Sequence, residues 1–283
     1  MKVKLLIFLS LSTALAIVSS TIFAFSGKMS TAQTTVSKAY QDALIDAADS
    51  LPDEVLDNLT AIVESNPKLI WEGQPGNSRV LVATFTGAIG YESGQKIFPP
   101  SEIWVTVVPE LKDFCTKYKN TGVDKNQLNL RLKQLLGLPP NREYVKVAEI
   151  WVHPQYLKRP TLDPEINDRT VQPLTNSIHP SLFSQGVDSA YQTWFTNQIK
   201  NRELNRNPSK NLERLTNSNS QDDPYPWTGL GYTYDWGIYP KTNLQTNAGL
   251  SEFVIFLGSQ TQVSIPIEVK QVLSTEEYCK VGE

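Results

Sequence analysis

EIWVTVVPELKDFCTKYKN, residues Glu102 to Asn120, changes character once, and that change decides the fold class. Glu102 to Val108 is dense in β-branched side chains and reads as a strand. Pro109 to Asn120 reads as a helix that opens on proline, where the missing N–H costs nothing. A strand handing directly to a helix recurs along the chain without regular alternation. Glu149-Ile150-Trp151-Val152 repeats Glu102-Ile103-Trp104-Val105 residue for residue. A duplicated unit gives such an echo, and so do two strands packing Trp against one core, so no repeat is inferred.

Working outward, Arg79 to Thr86 and Lys68 to Glu72 read as earlier strands, set off by Gly73-Gln74-Pro75-Gly76 and Pro99-Pro100. Thr34 to Ser65 reads as helical, with a second helix starting at Pro52-Asp53-Glu54 and carrying Val55, Leu56, Leu59, Ile62 and Val63 at helical spacing. Asp124 to Leu136 is a helix closed by Gly137, and Tyr144 to Val152 a strand. Ala190 to Asn201 is a short helix with Tyr191, Trp194 and Phe195 inward. Ser251 to Leu257 and Thr261 to Val269 form a hairpin about Gly258-Ser259. The class is α+β: a mixed or antiparallel sheet with flanking helices and a C-terminal β-hairpin. The chain divides into a leader at 1–26 (or to 32), a helical segment at 27–66 and one domain at 67–283, with 202–226 a flexible polar loop.

Lys2 and Lys4 precede an apolar run from Leu5 to Val18, the layout of a secretory signal peptide. Small residues place cleavage after Ser26 or after Ala32. The competing reading is an uncleaved membrane anchor over residues 5–25. The expected location is secreted or periplasmic. Without Lys2 and Lys4 the formal charge falls from −3 to −5, and no basic stripe is present to bind nucleic acid. Cys115 and Cys279 make an even pair, which in an oxidising compartment is often a disulfide; two separate buried thiols are the alternative.

Two segments stand out for chemistry. Residues 225–239 hold Trp227, Tyr232, Tyr234, Asp235 and Trp236 among Pro and Gly. Aromatic faces beside a carboxylate suit stacking on a small molecule, a glycan or a protein segment, and these five are the candidate ligand-binding residues. The same residues also fit a core strand beside a tight loop, with Asp235 bonding turn amides. The second segment, His153 to Arg169, gathers His153, Arg159, Asp163, Glu165, Asp168 and Arg169, without the spacing of any metal signature. Its acids also fit turns and ion pairs with the two arginines.

His153 and His179 are the only histidines, and there is no G-x-S-x-G, no phosphate loop and no dinucleotide fingerprint. Neither a cofactor nor a metal is implied. Glu252 starts a strand after a turn, followed by Phe253-Val254-Ile255, a glycine and a further strand. This resembles the last strands of ADP-ribosyltransferase-type folds, and the resemblance implies a glutamate that contacts a nicotinamide ribose. The chain departs from that pattern in having Leu250 where the paired acid would stand. The expected function is an exported binding protein acting through residues 225–239. The alternative is an extracytoplasmic hydrolase or transferase using His153, Asp163, Asp235 or Glu252.

Overall fold

A computed structural model of the chain describes residues 31–87, 90–174, 180–216, 223–237, 247–256, 258 and 267–280. The expected signal segment, His179 and most of the second strand of the expected hairpin lie outside the described residues. In chain order the elements are α1 (Thr31–Ala47), β1 (Val80–Thr86), β2 (Lys96–Ile97), β3 (Ile103–Val107), α2 (Val108–Lys119), α3 (Lys125–Leu135), β4 (Lys146–Val152) and β5 (Leu157–Lys158). They continue with α4 (Ser189–Leu204), α5 (Pro208–Thr216), β6 (Tyr232–Tyr234), β7 (Ala248–Ser251), β8 (Phe253–Ile255), β9 (Ile267–Ser274) and α6 (Thr275–Tyr278).

β1 reads VLVATFT and is almost wholly buried, so it has no solvent face and must lie inside a sheet covered on both sides. It pairs antiparallel with β4 from Val80↔Val152 to Thr86↔Lys146, and with β3 at Val82↔Val107 and Ala83↔Thr106. The echoed Glu-Ile-Trp-Val segments are therefore its two neighbours. The seven-stranded sheet runs β2-β9-β4-β1-β3-β8-β5, every pair antiparallel, and β6 with β7 forms a separate ribbon. The fold is α+β, as the strand-to-helix reading of residues 102–120 implies.

One face of the sheet, with Val80, Val82, Val105, Ile150 and Phe253, is covered by irregular chain that brings in Ile62, Leu69, Tyr156 and Ile166. The other face is covered by helices in two patches. α2, α3 and α6 close over Leu81, Phe85 and Val147. α4 closes over Val254 and Phe256 with Tyr191, Phe195 and Ile199. α3 begins at Asp124, whose side chain accepts from the Gln127 amide, and ends at Gly137 with φ 68°, the left-handed position that glycine occupies without strain.

Three expectations are corrected. The second N-terminal helix is reduced to a single 3-10 turn at Pro52–Glu54. The following amides turn elsewhere: Leu59 N–H donates to the Arg169 carbonyl (3.0 Å) and Ile62 N–H to the Ile166 carbonyl (2.6 Å). The polar stretch 202–226 is not loop throughout, because Pro208–Thr216 is α5. That helix is held by polar contacts that apolar periodicity does not register: Asn207 accepts from the Lys210 amide, and Asn211 donates to the Asn205 carbonyl. The C-terminal hairpin is not formed between the described strands. Both edges of β8 are taken by β3 and β5, and β9 pairs with β4 and β2 on the far side of β1. The described parts of the strand pair on which the ADP-ribosyltransferase resemblance rests, in β8 and β9, are thus not adjacent in the sheet.

Cys115 on α2 and Cys279 after α6 are fully buried with Cα atoms 5.2 Å apart, within the span of a disulfide. Among the described residues no helix is long and apolar enough to cross a membrane. A thiol assay on denatured, unreduced protein is expected to find no free thiol. Replacing Cys279 by Ser should lower stability to urea by roughly 2–5 kcal/mol.

Candidate functional site

A groove of about 980 Å³ is lined by residues of the sheet and of both helical patches. Phe85 of β1 and Trp104 of β3 lie in it. Leu136, Leu138 and Tyr144 flank it on the α3 side, and Gln198, Asn201 and Arg202 on the α4 side. Residues 223–227 contribute Tyr225 and Trp227. Three of the large apolar side chains that stand out in solvent are on its rim: Phe98 (60% exposed), Leu204 (41%) and Tyr225 (39%). Apolar surface gathered about one concavity is what a binding site presents.

The polar frame of the groove is fixed by ion pairs and carbonyls. Arg142 grips Asp223 through two nitrogens at 2.7 and 2.8 Å. Arg202, buried, donates to the Ala47 carbonyl (3.1 Å) and the Ser50 hydroxyl (2.6 Å), tying α4 to the end of α1; burial brings its guanidinium down to about 10. The Tyr144 and Tyr225 hydroxyls lie 3.4 Å apart. Burial raises both phenols, and that of Tyr234, above the ordinary range.

Glu252 is the exception to this satisfied frame. It lines the groove at 8% exposure, and its Oε2 has no well-formed hydrogen bond. Burial pushes its carboxyl up to about 8, opposed only by a hydrogen bond from the Trp227 indole. The indole Nε1 is itself buried without a well-formed hydrogen bond. A carboxyl in an apolar setting against a Trp keeps its proton at neutral pH and offers an O–H donor.

Of the five candidate binding residues, Trp227 and Tyr234 line the groove, as does the neighbouring Tyr225. Tyr234 also bonds Asp46 and Asn247 through its hydroxyl. Tyr232 is buried with Leu59, Val171 and Leu230 and donates to the Glu54 carbonyl (3.2 Å). Trp236 packs edge-on against Tyr40 at 5.3 Å and donates its indole N–H to the Leu138 carbonyl (3.1 Å). Asp235 pairs with Arg131 (2.5 Å) and accepts from the Gly237 amide (2.9 Å). The face that Tyr232 and Tyr234 share is thus largely covered by the N-terminal segment.

The His153–Arg169 segment does not line the groove. His153 is exposed at the end of β4, and neither it nor Asp163 or Asp235 lines the groove. Arg159 is wholly buried, donating to the carbonyls of Thr60 (3.0 Å), Glu165 (3.3 Å) and Asp168 (3.1 Å) and lying 5.0 Å over the Phe253 ring. Burial lowers it to about 10, and the Asp168 carboxylate at 4.0 Å opposes the fall. Gly231, at φ 77°, passes so close that a Cβ there would sit 2.8 Å from Arg159 Cδ. Arg159 therefore clamps the loop to the sheet. Among the described residues no three His, Cys, Asp or Glu side chains come close enough to share a metal ion.

Phe85, Phe98, Trp104 and Arg202 belong to the groove without having been singled out in the sequence. Trp104 carried the one available signal, its place in the echoed strand motif. Compared with protein-family models, with curated proteins and with solved structures, the chain matches none.

Because folding holds the Glu252 proton on, the stability linked to it is full below about pH 4.5 and is lost as pH rises through about 8. The wild-type protein is expected to lose of the order of 4 kcal/mol between about pH 5 and 9 from this group. Glu252→Gln should flatten that slope in urea denaturation and gain on the wild type as pH rises.

Proposed function

We propose that this chain is an exported binding protein, carried out of the cytoplasm by residues 1–26, whose groove holds an extended ligand with apolar side groups. The observation that carries the reading is the coincidence of exposed Phe98, Leu204 and Tyr225 with a concavity that reaches the poorly bonded Glu252 carboxyl. Exposed apolar side chains lower the free energy of a complex by leaving water, and a rim of them around a cleft favours a ligand that lies along it. The alternative, a hydrolase or transferase, draws on Glu252 as a proton donor. It lacks a second catalytic group among the candidates, since His153, Asp163 and Asp235 lie outside the groove.

The dye 8-anilinonaphthalene-1-sulfonate tests the groove directly. Native protein should bind it saturably, and Phe98→Asp or Leu204→Asp should weaken binding about tenfold with circular dichroism unchanged, as loss of one apolar contact predicts. Equal binding by both variants would place the dye elsewhere and sink the reading. The mature protein purified from its native host should begin at Gly27 or Gln33; an intact Met1 would mean that residues 5–25 stay as an anchor.

A further inference from the structure

We infer that Glu252, with the Trp227 indole beside it, is the polar anchor of the groove, and that the group it anchors is a neutral amide of an extended apolar peptide. This rests on the binding reading above and names the chemistry of its ligand.

Val105 of β3 pairs with Phe253 of β8, so the adjoining Thr106 and Glu252 turn to the opposite, helix-covered side of the sheet. Thr106 Oγ1 is buried without a partner, and Glu252 Oε2 and Trp227 Nε1 are buried with nothing but a poorly formed hydrogen bond to each other. Buried polar atoms are nearly always bonded, and a cluster left open next to a groove is completed by something that enters it. An apolar residue at 252 would fold more favourably, so the carboxyl is not explained by packing.

The surroundings select the entering group. An anion would meet a carboxyl, with Glu102 and Asp223 also on the groove. A cation would meet the charges of Arg202 and Arg214, which line it too. A neutral amide suits both constraints. A protonated carboxyl donates its O–H and accepts through its C=O; an amide accepts through its C=O and donates its N–H. The two fit edge to edge with two hydrogen bonds, and no proton changes owner. An extended backbone supplies such an amide at every residue, and its side groups can reach Phe98 at one part of the rim and Leu204 and Tyr225 at another.

The proton on Glu252 is set by burial, with the indole opposing. The charged and titratable groups on the same groove are Glu102 just before β3, Arg202 on α4, Arg214 on α5, and Asp223 with Tyr225 in residues 223–227, while Glu110 on α2 bonds the adjoining Ser251 amide. None of these is among the causes of the shift. The pH dependence of amide binding should therefore be that of Glu252 alone.

The experiment displaces 8-anilinonaphthalene-1-sulfonate from the full mature protein with a mixture of N-acetylated, C-amidated tripeptides of Leu, Phe and Ala. Displacement should be strong at about pH 6 and weaken about tenfold by about pH 9.5, as Glu252 loses its proton. Glu252→Gln keeps a donor and an acceptor, so it should displace equally at both pH values; Glu252→Leu should displace poorly at both. Displacement that is the same in wild type and Glu252→Leu overturns the proposal. So does preference for the same tripeptides with free amino termini, strengthening as pH rises, which would mean that Glu252 holds a cation. Displacement by dodecanol and not by the blocked peptides would mean a lipid-like ligand and also overturns it. If the dye binds and the peptides leave it in place, this proposal falls and the groove reading stands; if the dye does not bind, both fall.

Discussion

Everything in the molecule answers to one constraint: β1 is buried on both faces and hydrogen-bonded on both edges. A strand with no solvent side needs two neighbours and two covers. The neighbours are the two strands bearing the Glu-Ile-Trp-Val motif. On one face the cover is irregular chain, and on the other it is helical. The difference has consequences. Irregular chain has backbone groups with no ladder or helix to satisfy them, and a buried unpaired carbonyl is costly. Arg159 meets three such carbonyls at once, at 3.0 to 3.3 Å, which is why a full positive charge sits at zero exposure beneath that cover.

The helical cover is in two pieces because the chain supplies it in two pieces. α2 and α3 follow β3 directly and pack over β1 and β4. α4 arrives much later and packs over β8. Both touch β3, α4 through Trp194 against Trp104, and the groove lies along the junction, lined by Phe85 from one patch and Trp104 from the other. Its geometry is held from outside: Arg202 ties α4 to α1, and Arg142 ties residues 223–227 to the turn before β4. The site is thus built on the scaffold's own fastenings, which favours a preformed shape.

The strands and helices nearest residues 102–120 were legible in the sequence because local signals and tertiary packing agree there: β-branched runs, Pro109, Asp124 and Gly137 each do locally what the fold requires. The failures share a cause. Val55 to Val63 has helical spacing, yet its amides find better partners in residues 166–169. The hairpin signal at 251–269 is locally sound, yet both edges of β8 are claimed by strands distant in sequence. α5 was hidden because it is only nine residues long, with Asn207 and Asn211 bonding its start and Leu215 packing on the α1 cluster. The aromatic segment was visible as unusual, but burial of Tyr232 and Trp236 depends on α1 and on residues 54–59, a long-range fact that no spacing carries. Glu252 could be read as a strand-start carboxylate; that its bonding is left incomplete could not, since that is a property of everything around it.

Glu252 also sits where the chain has least freedom to relieve it. Its amide donates to the Gly231 carbonyl (2.9 Å) as the chain crosses from the β6–β7 ribbon into the large sheet. On one side, Ser251 is fixed twice, its N–H on Glu110 (2.8 Å) and its hydroxyl accepting from the Thr60 amide (2.8 Å). On the other, the Phe253 ring lies under Arg159. A long acidic side chain on a pliable loop would swing to water and recover its solvation. Held at both neighbours, this one points inward whatever the cost, and the cost is set by how little the groove offers it. A carboxyl that cannot leave, and whose one neighbour is the Trp227 indole, keeps its proton.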